Sequence, residues 1–181
     1  MLYHSTRSAL PAVDSAQAVL EGLAPDGGLY MPENLPVFDW KACLQGSSMD
    51  MSTQILSALL PDIPNMEELV KKAYTGKFET DHLTPTVSVG DFGVLELFRG
   101  PTSAFKDVAL SMLPQLLTAA KTEKGMEKDI LILTATSGDT GKAALEGFHD
   151  VDGIKICVFY PYGGVSQVQR AQPTNTIYLR R

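Results

Sequence analysis

Cysteine, tryptophan and long apolar runs are all scarce in this chain of 181 residues. Its two cysteines, Cys43 and Cys157, are too few for a disulfide framework and lack metal-site spacing. They read as small buried hydrophobes in a reducing compartment. No apolar stretch reaches the ~18 residues that crossing a membrane requires. The opening MLYHSTRSALPAVDS has no apolar signal core. Basic residues are outnumbered, 15 to 21, for a net charge of −6, and they form no basic face of the kind nucleic-acid binding uses. Repeats and low-complexity tracts are missing too. The expectation is a soluble, cytoplasmic protein without a membrane or nucleic-acid partner.

What is present, 44% hydrophobic and 20% charged residues, is enough to build a real core. The section up to about Phe78 looks mainly helical. Asp14 or Ser15 can cap a short helix through Leu20 that Gly22 closes. Ala24 to Pro36 is dense in turn formers and must be extended or turning. Asn65, with Glu68 three residues on, forms a capping-box pattern, and Gly76 stands where a helix stops. Lys77 to Pro85 is polar and reads as a connection. VSVGDFGVLELF alternates around Gly90 to Gly93, a hairpin pattern with a turn longer than two residues.

The remainder switches between helix and strand periods, which predicts α/β architecture. Val108, Met112, Leu113, Leu116, Leu117 and Ala120 make a helical stripe. Pro114 inside it predicts a kink or two helices. Ile130 to Ala135 is a short apolar run suited to a parallel strand buried on both faces. Thr140 to Phe148 is helical, and Ile154 to Tyr160 is a second strand, completing one right-handed crossover.

Two segments carry chemistry. Lys106 lies in GPTSAFKDVAL, a mostly apolar neighbourhood for one charge. Desolvation there would depress the amine's pKa, the state that attack on an aldehyde needs. Asp107 can pair with Lys106 or serve the local fold; the structural role is preferred. Thr136 to Gly141, TSGDTG, follows a strand and opens a helix, whose N–H groups and dipole favour an anion. Gly138 and Gly141 allow close backbone approach, Ser137 and Thr140 supply hydroxyls, and Asp139 can accept a hydrogen bond. GDTGK is no P-loop: Thr136 and Ala143 stand where that pattern needs glycine and a hydroxyl. The dinucleotide fingerprint is absent as well.

Together, LELFRGPTSAFKD (95–107) and TATSGDTG (134–141) resemble threonine synthase, in matching order and separation. GLAPDGGLYMP (22–32) and Tyr160 to Gln169 are similar to further segments of that family. The resemblance implies an N-terminal domain at 1–84 and, at 85–172, the start of a fold-type II pyridoxal-phosphate (PLP) domain with an open, mostly parallel sheet. It implies conversion of O-phosphohomoserine and water to threonine and phosphate. Lys106 would hold PLP covalently, and Ser137, Gly138, Asp139, Thr140 and Gly141 would line the cofactor and the substrate carboxylate. Arg99 stands where the family commonly has histidine, and contact with substrate phosphate is one role for it.

Family chains are more than twice as long. The resemblance therefore implies a truncated chain with a divergent tail at 173–181, lacking the loop that grips the PLP phosphate and the rest of the sheet. Little or no activity is expected of the chain alone, and an uncovered sheet edge is expected. Against the enzyme reading stand a non-catalytic remnant and an anion-binding α/β module.

Overall fold

The N-terminal section holds more strand than its sequence announces. A computed structural model describes residues 1–7, 10–136 and 138–159. Ser137, the Tyr160 to Gln169 segment and the tail at 173–181 lie outside the described residues. Strand β1 (Leu2–Ser5) pairs antiparallel with both β2 (Val13–Asp14) and β3 (Tyr30–Pro32), in the order β2-β1-β3. These strands are two to four residues long, too short for an alternating pattern to stand out. The turn-rich segment before Pro36 does run extended, as β3.

Helix α1 (Ser15–Glu21) starts where expected: the Asp14 carboxylate accepts from the Gln17 N–H at 2.9 Å, and Gly22 ends it at φ 69°. Helices α2 (Trp40–Cys43) and α3 (Ser48–Leu59) follow. A capping box joins Ser47 and Asp50 at the start of α3. Helix α4 (Met66–Tyr74) begins after Asn65, which adopts φ 57°, a left-handed conformation asparagine tolerates. Tyr3, Ala16, Ala18, Cys43, Ile63, Met66 and Val70 are buried here. Asp62 ties this section together, accepting from the Ser15 N–H at 3.1 Å and from its hydroxyl at 2.7 Å.

The chain divides into two compact units. One comprises Met1–Lys72 with Gln115–Glu127; the other comprises Ala73–Pro114 with the residues from Lys128 onward. The second unit opens with a hairpin, β4 (Thr86–Val89) and β5 (Phe92–Leu95). Its turn is two residues, Gly90-Asp91, shorter than the sequence led us to expect. Gly90 at φ 60° supplies the positive dihedral a type II′ turn needs at its first position.

Helix α5 (Asp107–Glu123) is one element with Pro114 inside it, so the two-helix alternative fails. Met112, Leu116, Leu117 and Ala120 of its predicted stripe are buried. Strand β6 (Ile130–Ala135) pairs parallel with β7 (Ile154–Phe159), and α6 (Asp139–Phe148) connects them. This is the expected strand-helix-strand crossover. Burial of β6 on both faces is not observed: Leu131, Leu133 and Ala135 are exposed, while Ile130, Ile132 and Thr134 are half-buried. Among the described residues this sheet has two strands, and alternate side chains of a strand point to opposite faces. Cys43 and Cys157 are free thiols.

Candidate functional site

The site is built from two segments of the second unit, the loop carrying Lys106 and the turn opening α6. The loop is held from within. Asp107, 2% exposed, accepts from the Thr102 N–H at 2.8 Å and from the Thr102 hydroxyl at 2.5 Å. Its role is therefore structural, as preferred from the sequence. Gly100 is required at the start: a Cβ there would lie 2.5 Å from both Cβ and Oδ2 of Asp107. Ser103 adopts φ 59°, a strained conformation for a non-glycine residue.

Lys106 is half-buried at the end of this loop, its Nζ 4.0 Å from the centroid of the Phe105 ring. The apolar enclosure read from its sequence neighbours does not form. Phe105 and Ala109 are exposed, and Val108 and Leu110 are only half-buried. Val108, Ala109 and Leu110 lie on α5, where successive residues point some 100° apart, so these apolar neighbours in sequence do not wrap one side chain.

The turn has the features an anion site needs. Gly138 is the N-cap of α6, and among the described residues no side-chain cap is seen there. The first N–H groups of an α-helix have no partner further along it and face outward, the arrangement that suits an anion. The Gly138 N–H bonds the Thr136 hydroxyl at 3.3 Å, and the Gly141 N–H bonds the Gly138 carbonyl at 3.1 Å. Gly141 is buried, and a Cβ on it would meet Thr136 Cγ2 at 2.4 Å and Val158 Cγ1 at 3.0 Å. Asp139 is exposed and Thr140 half-buried. Ser137 lies outside the described residues.

Two contacts join the segments, and sequence reading missed both. Lys142 Nζ, on α6, donates to the Thr102 carbonyl at 3.0 Å. Gly147 brings α6 so close to α5 that a Cβ would lie 2.1 Å from the Leu110 carbonyl oxygen. Neither leaves a local pattern, since the partners are about 40 residues apart. Arg99 is engaged elsewhere. It pairs with Glu79 at 2.7 Å and Glu96 at 2.7 Å, and its guanidinium carbon lies 5.1 Å from the centre of the Phe98 ring. Two carboxylates therefore occupy the group the sequence offered to a phosphate.

Known proteins resemble this chain along most of its length. The family "Threonine synthase N terminus" matches residues 2–74. Threonine synthase of Pseudomonas aeruginosa is 38% identical over 98% of this chain and 39% of its own length. The chain is homologous to the N-terminal part of threonine synthases. The Saccharomyces cerevisiae enzyme is 36% identical over 96% of this chain and 37% of its own. The crystal structure of PLP-bound threonine synthase from Brucella melitensis matches with a TM-score of 0.86 at 38% identity, covering 95% of this chain and 38% of that one. The chain thus spans about two-fifths of the length of the curated threonine synthases it matches.

Proposed function

We propose that this chain supplies the lysine and the anion turn of a threonine synthase, the PLP-dependent lyase that converts O-phosphohomoserine and water to threonine and phosphate. The observation that carries the reading is the match to a PLP-bound threonine synthase across 95% of the chain. The residues present fit the cofactor. Lys106 offers an amine on a braced loop, α6 offers an N-terminus whose N-cap residue is a glycine, and Gly141 leaves bare a position whose Cβ would collide with Thr136. When bound, PLP supplies an electron sink for carbanions.

In this reading Lys106 would hold the cofactor through its aldehyde carbon, the carbonyl oxygen leaving as water, and its Nζ would afterwards carry protons. The N–H groups at the start of α6, with the Thr140 hydroxyl, hold an anionic group of the ligand. Ser137 and Asp139 belong to the same turn. Gly138 and Gly141 keep that turn's backbone open to close approach. The domains at 1–84 and 85–172 are part of the proposal, as are a cytoplasmic location and a small-molecule substrate. The net charge of −6 supports the lack of a nucleic-acid partner.

The test is intact mass after incubation with PLP and borohydride reduction, followed by peptide mapping. A single adduct on Lys106 is expected. Labelling scattered over many lysines, or equal labelling of a Lys106→Ala variant, would sink the proposal. An adduct on Lys106 combined with no phosphate release from O-phosphohomoserine would leave the non-catalytic reading standing for the chain by itself.

A further inference from the structure

The Lys106 loop contains a backbone conformation that residues other than glycine rarely adopt. Ser103, at φ 59°, belongs to a residue type for which such a backbone is strained. Within the loop, the Ser103 N–H bonds the Gly100 carbonyl at 3.1 Å, and Thr102 is fastened to Asp107 through its N–H and its hydroxyl. Thr102 and Asp107 are 7% and 2% exposed. The Thr102 carbonyl takes its partner from outside this local network, accepting from Lys142 Nζ at 3.0 Å. Lys142 lies one residue after Gly141, in the first turn of α6. A charged donor on a carbonyl is stronger than a neutral one, and the half-buried side chain shields the bond from water.

We infer that Lys142 is a positioning residue: its ammonium fastens the anion turn to the loop that presents Lys106, fixing the separation of the two halves of the site. The close approach of Gly147 to Leu110 makes a second fixed point along the same helix pair. Between them, α6 cannot slide along the start of α5. Lys142 itself touches no reacting atom in this scheme. It acts through the Thr102 carbonyl, hence on Ser103 and on the direction in which Lys106 leaves the loop. The inference rests on the reading in which the Lys106 amine bonds PLP, and the test separates the two.

The experiment compares the parent chain with Lys142→Met, which keeps the apolar stem but removes the donor, and with Lys142→Arg, which restores a cationic donor. Amide hydrogen exchange over residues 100–107 reads the brace without any cofactor. The rate of the borohydride-fixed PLP adduct at Lys106, as a fraction of adducts on all lysines, reads the positioning. Lys142→Met should exchange about tenfold faster at Ser103 and Asp107, the size expected for losing one charge-assisted hydrogen bond. Its Lys106 adduct should form several-fold more slowly and less selectively, and Lys142→Arg should recover both. Unchanged exchange in Lys142→Met overturns the brace. Faster exchange with an unaltered rate and selectivity at Lys106 overturns the positioning role. A parent chain with no selective Lys106 adduct sinks the PLP reading, and the exchange result then still decides whether the brace exists.

Discussion

Replacing Gly147 by alanine should destabilise the second unit, although the same change in an ordinary helix is favourable. In an exposed helix interior, glycine to alanine gains about 1 kcal/mol. Here the neighbour decides the sign. Pro114 has no N–H, so the Leu110 carbonyl, four residues earlier on α5, cannot receive the usual helical bond from that position. Gly147 of α6 packs directly against that carbonyl. An added Cβ would sit 2.1 Å from its oxygen and 2.8 Å from its carbon. The obstacle is backbone, which cannot rotate aside, so α6 must move away from α5. Overpacking of this sort costs ~1–3 kcal/mol, and a contact this short belongs at the upper end. Set against the helix gain, the net loss is about 2 kcal/mol, since Ala143, Ala144 and Phe148 are buried on the same helix and move with it. For a chain of this size that lowers Tm by about 4–8 °C. Thermal melting followed by circular dichroism at 222 nm is the assay. Fluorescence is the wrong probe, because the single tryptophan, Trp40, is exposed and belongs to the first unit. Glu146→Ala, on the exposed side of the same helix, should shift Tm little. A Gly147→Ala variant that melts at or above the parent's Tm would refute the argument.

Two further outcomes follow from charged groups. Arg99→Leu should lower Tm in dilute buffer and progressively less toward about 1 M salt, where the Debye length is ~3 Å, because Glu79 and Glu96 lose their shared cation. If the proposed substrate binds, Arg99→Leu should leave its affinity unchanged, and a weakened affinity would restore a phosphate-binding role for Arg99. For Asp62, partial burial pushes the carboxyl up, but the two bonds from Ser15 together with the Met1 ammonium at 3.4 Å outweigh it and hold the pKa below the usual 3.8. A depressed folded pKa stabilises above the unfolded value and is lost as pH falls through the folded one. The parent's Tm should therefore fall more steeply below about pH 4 than that of Asp62→Asn, and parallel curves would contradict this assignment.

Where the fold could be read from the sequence, the cause of each element was local. Asp14 and Gly22 bound α1 because a capping carboxylate and a left-handed glycine act within one turn of their own helix. The β6-α6-β7 crossover was legible from the change of hydrophobic period alone. The β2-β1-β3 sheet was not, because its strands are short and β3 joins β1 from 25 or more positions away. At the site, the TSGDTG turn is recognisable because strand, glycines and helix are contiguous. The setting of Lys106 was misread for the opposite reason, since its surroundings depend on directions that three successive residues do not share. Lys142 shows the same limit: nothing near it in sequence indicates that its partner is the carbonyl of Thr102.

Strand β6 has apolar residues on both faces, Ile130 and Ile132 on one and Leu131 and Leu133 on the other. A slip of one position against β7 would exchange isoleucine for leucine, so hydrophobicity scarcely distinguishes the correct alignment from the wrong one. The discrimination comes from the ends. At the far end the Thr136 N–H bonds the Phe159 carbonyl at 2.9 Å, and Gly141 leaves room for Thr136 beside Val158. The turn proposed as the anion site thus also serves as the strand's alignment mark. A bulkier residue at Gly141 would damage more than a ligand contact: it would remove the feature that tells two nearly degenerate pairings apart.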